Sequence, residues 1–272
     1  MLIHNKPKSR GTFRRILGKE FFILRRKYSD WGHRAWARPL VSATEGPSVS
    51  LIRHQSPLIR KLRSVDMQLQ YNKVVNLKLA LEKTGSVLIR PGETYSFWKL
   101  VGKPRRKKGY LEGLVLREGK IDRGIGGGVC QLGNLIYWML LHTSLTVTER
   151  WRHGYDVFPD VNREIPFGCG ATLSYNYIDL RFQNNTPHAY LLKVWMDDVF
   201  LRGEILCDVE EANDIRIIET DHRFESLWWG GYQRCNKIWR KLISKATQEE
   251  RVEMVTENIA VLMYEPLLKG NE

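Results

Sequence analysis

Apolar residues recur at spacings of three and four through Phe13, Ile16, Leu17, Phe21, Leu24, Tyr28 and Trp31, with Arg14, Arg15, Lys19, Arg25 and Arg26 between them. That period predicts a basic amphipathic helix. Two surroundings suit it: the protein's own core, or an anionic membrane face met through residues 10–31. Pro39, Gly46, Pro47 and Pro57, with four serines, mark residues 39–57 as loop or linker. The division expected is a basic N-terminal arm and linker over 1–57 and one domain over 58–272. Between residues 66 and 83 no breaker interrupts Met67, Leu69, Val74, Val75, Leu77, Leu79 and Leu81. This predicts a helix whose Gln70, Asn72, Lys73 and Asn76 form a polar side.

Further along, residues 87–90 read as a short strand, and 114–117 with 120–122 as a hairpin across Glu118 and Gly119. A glycine-rich turn then leads into an apolar helix through Leu135 to Leu141, headed by Cys130. Residues 145–151, 171–182 and 189–196 read as strands, and 232–243 as another amphipathic helix. The fold class expected from this order is α+β: a single domain with a mostly antiparallel sheet and a Cys-headed central helix, preceded by the basic arm.

Composition narrows the partners. The chain has 272 residues, 43% hydrophobic, with 43 Lys and Arg against 30 acids, a net charge of +13. Eleven of the cations but only Glu20 and Asp30 fall in the first 40 residues. Such an excess favours a polyanionic neighbour. Nucleic acid is unlikely, because the chain beyond the arm is almost balanced and carries no groove-reading motif. The four cysteines lie 39, 38 and 28 residues apart with no CxxC pair, so neither a metal site nor a disulfide framework is expected. No signal peptide or membrane-spanning run is apparent, so the location expected is cytoplasmic or peripheral on the membrane.

The candidate chemistry sits at Gly126, Gly127 and Gly128, immediately before Cys130 and Gln131. Consecutive glycines let backbone N–H groups approach an anion, and the helix they open points its positive end at the same place. A thiol in that first turn has a lowered pKa and greater reactivity. His153 is the natural base, with Asp179 or Asp156 to orient it. Two functional readings stay open: a catalytic Cys130–His153 site, or a non-catalytic module that holds a carboxylate or phosphate at the glycines with help from Arg105 and Arg106. A third reading makes Cys130 a buried small residue and the glycines a packing device. The run lacks the Lys and hydroxyl of a P-loop and the spacing of GxGxxG, so no cofactor is expected.

Segments PGETYSFWKLVGKPRRKKGYLEG (91–113), GIGGGVCQLGNLIYW (124–138), ERWRHGYDVFPD (149–160) and PFGCGATLSYNYIDLRFQNNT (166–186) resemble the VanW family. The likeness extends from SPLIRKL and VDMQLQYNKVVNLKLA to RCNKIWRK and ENIAVLMYEP. It implies a link to the cell envelope and to glycopeptide-resistance gene clusters, and with it a peptidoglycan precursor or peptide-like molecule as substrate or ligand of the Cys130 site, and supplies no mechanism. Gly133 stands where the resemblance leads one to expect a small hydroxyl residue.

Overall fold

The computed structural model describes residues 11–40, 46–60, 66–159 and 164–266. Lys6, Lys8 and Arg10 of the basic arm, residues 61–65 and Asp160 lie outside them. Helix α1 (Thr12–Ser29) leads through β1 (Arg38–Pro39) to β2 (Val49–Pro57). Helix α2 (Met67–Thr84), β3 (Ser86–Ile89), β4 (Thr94–Ser96) and the short α3 (Phe97–Val101) follow. The hairpin β5 (Glu112–Arg117) and β6 (Lys120–Ile125) then precedes α4 (Cys130–Leu140). Beyond α4 come β7 (Thr146–Glu149), β8 (Tyr155–Asp156), β9 (Arg181–Gln183), β10 (Tyr190–Met196) and β11 (Phe200–Cys207). Three long strands finish the chain: β12 (Asn213–Ser226), β13 (Tyr232–Ser244) and β14 (Glu250–Leu262).

The class is α+β in a single domain. A central sheet of order β1-β3-β10-β11-β2 is antiparallel at every pairing. Against it lies α4, whose Leu132, Leu135, Ile136, Met139 and Leu140 are buried in the main core. Each such side chain contributes about 1.5–3 kcal/mol by leaving water, so α4 is the organising element of the core. Gly203 of β11 leaves room for Leu135 and Met139 to lie on the sheet, since a β-carbon there would meet both. A smaller sheet, β4-β9-β7, flanks this unit, and β12-β13-β14 form a long antiparallel ribbon that β8 extends in parallel.

Several elements depart from the pattern-based expectation. Residues 49–57, expected as linker, form an edge strand that pairs with β11 along its length. The run His54, Ser56 and Pro57 hid it, because edge strands tolerate polar residues and a terminal proline. Residues 232–243 form the central strand β13, not a helix. Ile238, Trp239 and Leu242 fit either period, and the pairing available on both sides decides for strand. Of residues 171–182 only Arg181 and Phe182 lie in a strand, with a single bridge between Ser174 and Ile178 upstream.

A fourth departure concerns α2. Its supposed polar side is the buried one: Gln70, Lys73 and Asn76 are hidden, while Tyr71 and Val75 face solvent. Asp66 caps the helix by accepting from the Gln68 N–H at 2.9 Å. Helix α1 shows the reverse. Only Ile23 of its apolar residues is buried, so its hydrophobic stripe does not pack into the core. No helix among the described residues is long and apolar enough to cross a membrane.

Candidate functional site

The buried polar face of α2 holds the glycine turn in place. Asn76 donates from Nδ2 to the carbonyls of Gly127 (2.9 Å) and Leu111 (3.1 Å), and its Oδ1 accepts from the Leu111 N–H at 2.8 Å. One side chain thereby satisfies backbone groups from two segments, which is why a fully buried amide is tolerated. Asn72 adds a bond to the Glu112 carbonyl at 2.8 Å. These tie the start of β5 to the turn so tightly that Gly113 and Gly127 meet backbone to backbone, and a β-carbon on either would strike the other.

The nest expected at Gly126 to Gly128 is partly filled. The Gly126 N–H donates to Leu111 and the Gly127 N–H to Gly124, each at 3.0 Å. Two amides farther along remain: among the described residues the N–H groups of Gly128 and Val129 have no backbone or side-chain acceptor, while the Cys130 N–H faces its own sulfur. They stand at the N-terminus of α4, where the helix carries partial positive charge.

The stem of a buried lysine lies against the same turn. Lys73 runs across Gly128 and is 8% exposed. Its Nζ donates to Gln70 Oε1 at 2.8 Å, and no carboxylate of the described residues pairs with it. Desolvation, reinforced by the nearby Arg60 charge, lowers its pKa to about 8. Among the described residues the turn therefore sets acceptor-free amides against the stem of a lysine whose ammonium meets no carboxylate. Sequence reading placed Lys73 and Asn76 on a solvated helix face. The usable signal was the spacing Gln70, Lys73, Leu77 and Ala80, which puts polar and core residues on one face.

Cys130 takes the position expected for a reactive thiol but not the chemistry. The residue is half-buried, yet its sulfur lies deep enough that desolvation pushes the thiol pKa up, outweighing the helix N-terminus. Its Sγ lies 3.9 Å from the Leu173 carbonyl, a weak donor contact. Among the described residues no hydrogen bond joins it to His153. Burial, helped by the Arg152 charge, lowers the His153 pKa and so favours the neutral imidazole.

Among the described residues neither Asp179 nor Asp156 hydrogen-bonds that histidine. Asp179 is fully buried and accepts from Ser96 Oγ (2.6 Å), Arg181 Nε (2.9 Å) and the N–H groups of Trp98 (3.1 Å) and Leu180 (2.9 Å). Desolvation still raises its pKa. Asp156 Oδ2 accepts from Tyr264 at 3.1 Å and from the buried Arg234 at 3.3 Å. Both carboxylates hold structure together. Gln131 acts likewise, donating from Nε2 to Ser56 Oγ and to the Pro57 carbonyl, both 2.8 Å, and so fastening α4 to β2. Arg105 and Arg106 are exposed. Arg106 bonds Glu112 at 2.5 Å and lines a shallow surface cavity of about 380 Å³ with Asn72, Tyr110 and Leu111.

The segment around His153 is also a framework. Arg150 donates to the Gly170 carbonyl at 2.8 Å and to that of Gly168, and lies over the Tyr137 ring at 4.7 Å. Asn134 of α4 accepts from the Ala171 N–H at 2.8 Å. Gly133 lies against the tip of the Leu173 side chain, which a β-carbon at 2.8 Å would push aside.

Residues 72–206 match the family described as VanW like protein, a stretch that holds the glycine turn, Lys73 and α4. The vancomycin B-type resistance protein VanW of Enterococcus faecalis is 42% identical over 186 residues, covering 68% of this chain and 66% of that protein. The uncharacterized protein YoaR of Bacillus subtilis is 30% identical over 118 residues, 43% of this chain and 37% of its own length. The aligned part of the chain thus spans just under two thirds of the first relative and little more than a third of the second. No solved structure matches the chain. By these matches the chain belongs to the VanW family.

Proposed function

We propose that this chain is a cell-envelope protein associated with glycopeptide resistance, and that it works as a non-catalytic binding module holding the carboxylate or phosphate of a wall precursor at the start of α4. The link to glycopeptide resistance follows the name of its Enterococcus faecalis relative, and the envelope is the setting that link suggests. One observation carries the binding role: the stem of Lys73, whose ammonium meets no carboxylate of the described residues, lies across Gly128 beside the Gly128 and Val129 amides, which lack acceptors among those residues. Like charges brought together without a counterion raise each other's energy, and an anion between them relieves that cost. The Cys130 thiol does not compete for the role, because its sulfur is desolvated and its pKa is raised.

Isothermal titration checks the reading with two probes: inorganic phosphate, and a short peptide bearing a free C-terminal carboxylate beside its C-terminal amide. Binding of phosphate or of the free carboxylate, absent for the amide and lost in Lys73→Met, is expected. Equal binding by wild type and Lys73→Met, or none at all, would remove the proposal.

A further inference from the structure

Helix α1 is fixed to the protein by its back, leaving its hydrophobic stripe facing out. Successive residues turn by about 100°, which gathers Phe13, Leu17, Phe21, Leu24 and Tyr28 into one arc and sets Arg26 opposite its middle. Arg26 is the anchor: its Nη2 donates to Glu149 Oε1 at 2.6 Å and to the Tyr177 carbonyl at 3.2 Å. Phe22 stacks on the Tyr177 ring at 5.7 Å, and Ile23 is buried. Just past the helix, Asp30 takes both terminal nitrogens of Arg181 at 2.7 and 2.8 Å. These contacts determine which way the stripe points. Its five residues and the following Trp31 are 55–82% exposed. A contiguous apolar patch of this kind marks an interaction site.

We propose that α1 docks the protein on an anionic lipid bilayer, laying this stripe into the interface with Arg14, Arg25 and Lys27 against the headgroups. Charge selects that occupant. The helix carries six cations and one acid, Glu20, and Arg14 and Arg25 border one edge of the stripe while Lys27 borders the other. All three are exposed. Glu20 lies between Lys27 and the stripe, so that edge is mixed, but with six cations to one acid a second copy of the chain would still set like charges against each other, whereas an anionic bilayer complements them. Aromatic rings at Tyr28 and Trp31 suit the boundary between headgroups and acyl chains. The inference stands apart from the α4 site.

The test is sedimentation of the full chain with vesicles of phosphatidylcholine mixed with phosphatidylglycerol, compared with pure phosphatidylcholine. The wild type is expected to sediment with the anionic vesicles and to come off as salt rises. Leu24→Asp and Leu17→Asp, both at exposed positions, should each lower partition at least about tenfold. Arg14→Gln and Arg25→Gln should each lower it roughly fivefold. Failure of the wild type to sediment with anionic vesicles at low salt overturns the proposal, as does equal binding by the Asp variants. A concentration-dependent dimer dissolved by Leu24→Asp, without vesicle binding, also overturns it, by assigning the stripe to a second copy.

Discussion

The aliphatic stem of Lys73 lies against Gly128, in the space a β-carbon at that position would need. Gly128 also has a φ of 91°, a region L side chains rarely adopt. Gly128→Ala therefore has to strain the backbone and displace a buried lysine together. We expect a loss of roughly 2–3 kcal/mol in urea unfolding. A loss under about 0.5 kcal/mol would mean that the turn and α2 are not in this contact.

Burial of Lys73 gives stability a pH dependence of known sign. Its folded-state pKa of about 8 lies below the unfolded value of 10.5. The unfolded chain then binds more protons between these values, so this group's contribution to stability rises with pH across that window. At neutral pH the cost amounts to roughly 3 kcal/mol. Comparison with Lys73→Met isolates the effect from other groups: the variant should be more stable at pH 7 and lose its advantage as pH approaches 10. A stability gap that does not change with pH would show that Lys73 keeps an ordinary pKa.

All four thiols should react slowly in the native protein. Cys169, Cys207 and Cys235 are buried, and desolvation holds the Cys130 pKa up. At neutral pH we expect Cys130 to react with a soluble disulfide probe at least about tenfold more slowly than a free thiol, and all four to react promptly in denaturant. Cys130→Ser should keep any function that depends on the α4 site. Fast native labelling confined to Cys130 would restore it as a nucleophile.

The parts of the fold that could be read from sequence are those where local pattern and tertiary demand agree. The hairpin across Glu118 and Gly119 is one, since both residues take positive φ. The Cys-headed helix is another, because its apolar run has a sheet to cover. Pattern fails where burial is polar. Asn76 looks solvated in sequence, and only the carbonyls of Leu111 and Gly127, 35 and 51 residues away, explain its place in the core. The glycine turn was found from its three glycines, but what surrounds it was not: Gly113 and Lys73 come from distant segments. Asp179 had the residue type of a catalytic partner, and its engagement by Ser96 and Arg181 is visible only in three dimensions.

Central to this account is an anion held at the start of α4 between the Gly128 and Val129 amides and Lys73. Amide nuclear magnetic resonance during titration with inorganic phosphate tests it most directly. The account predicts saturable shifts that are largest at Gly128, Val129 and Cys130 and that vanish in Lys73→Met. Shifts confined to Arg105, Arg106 and the exposed cations of α1, with residues 128–130 unmoved, would contradict it.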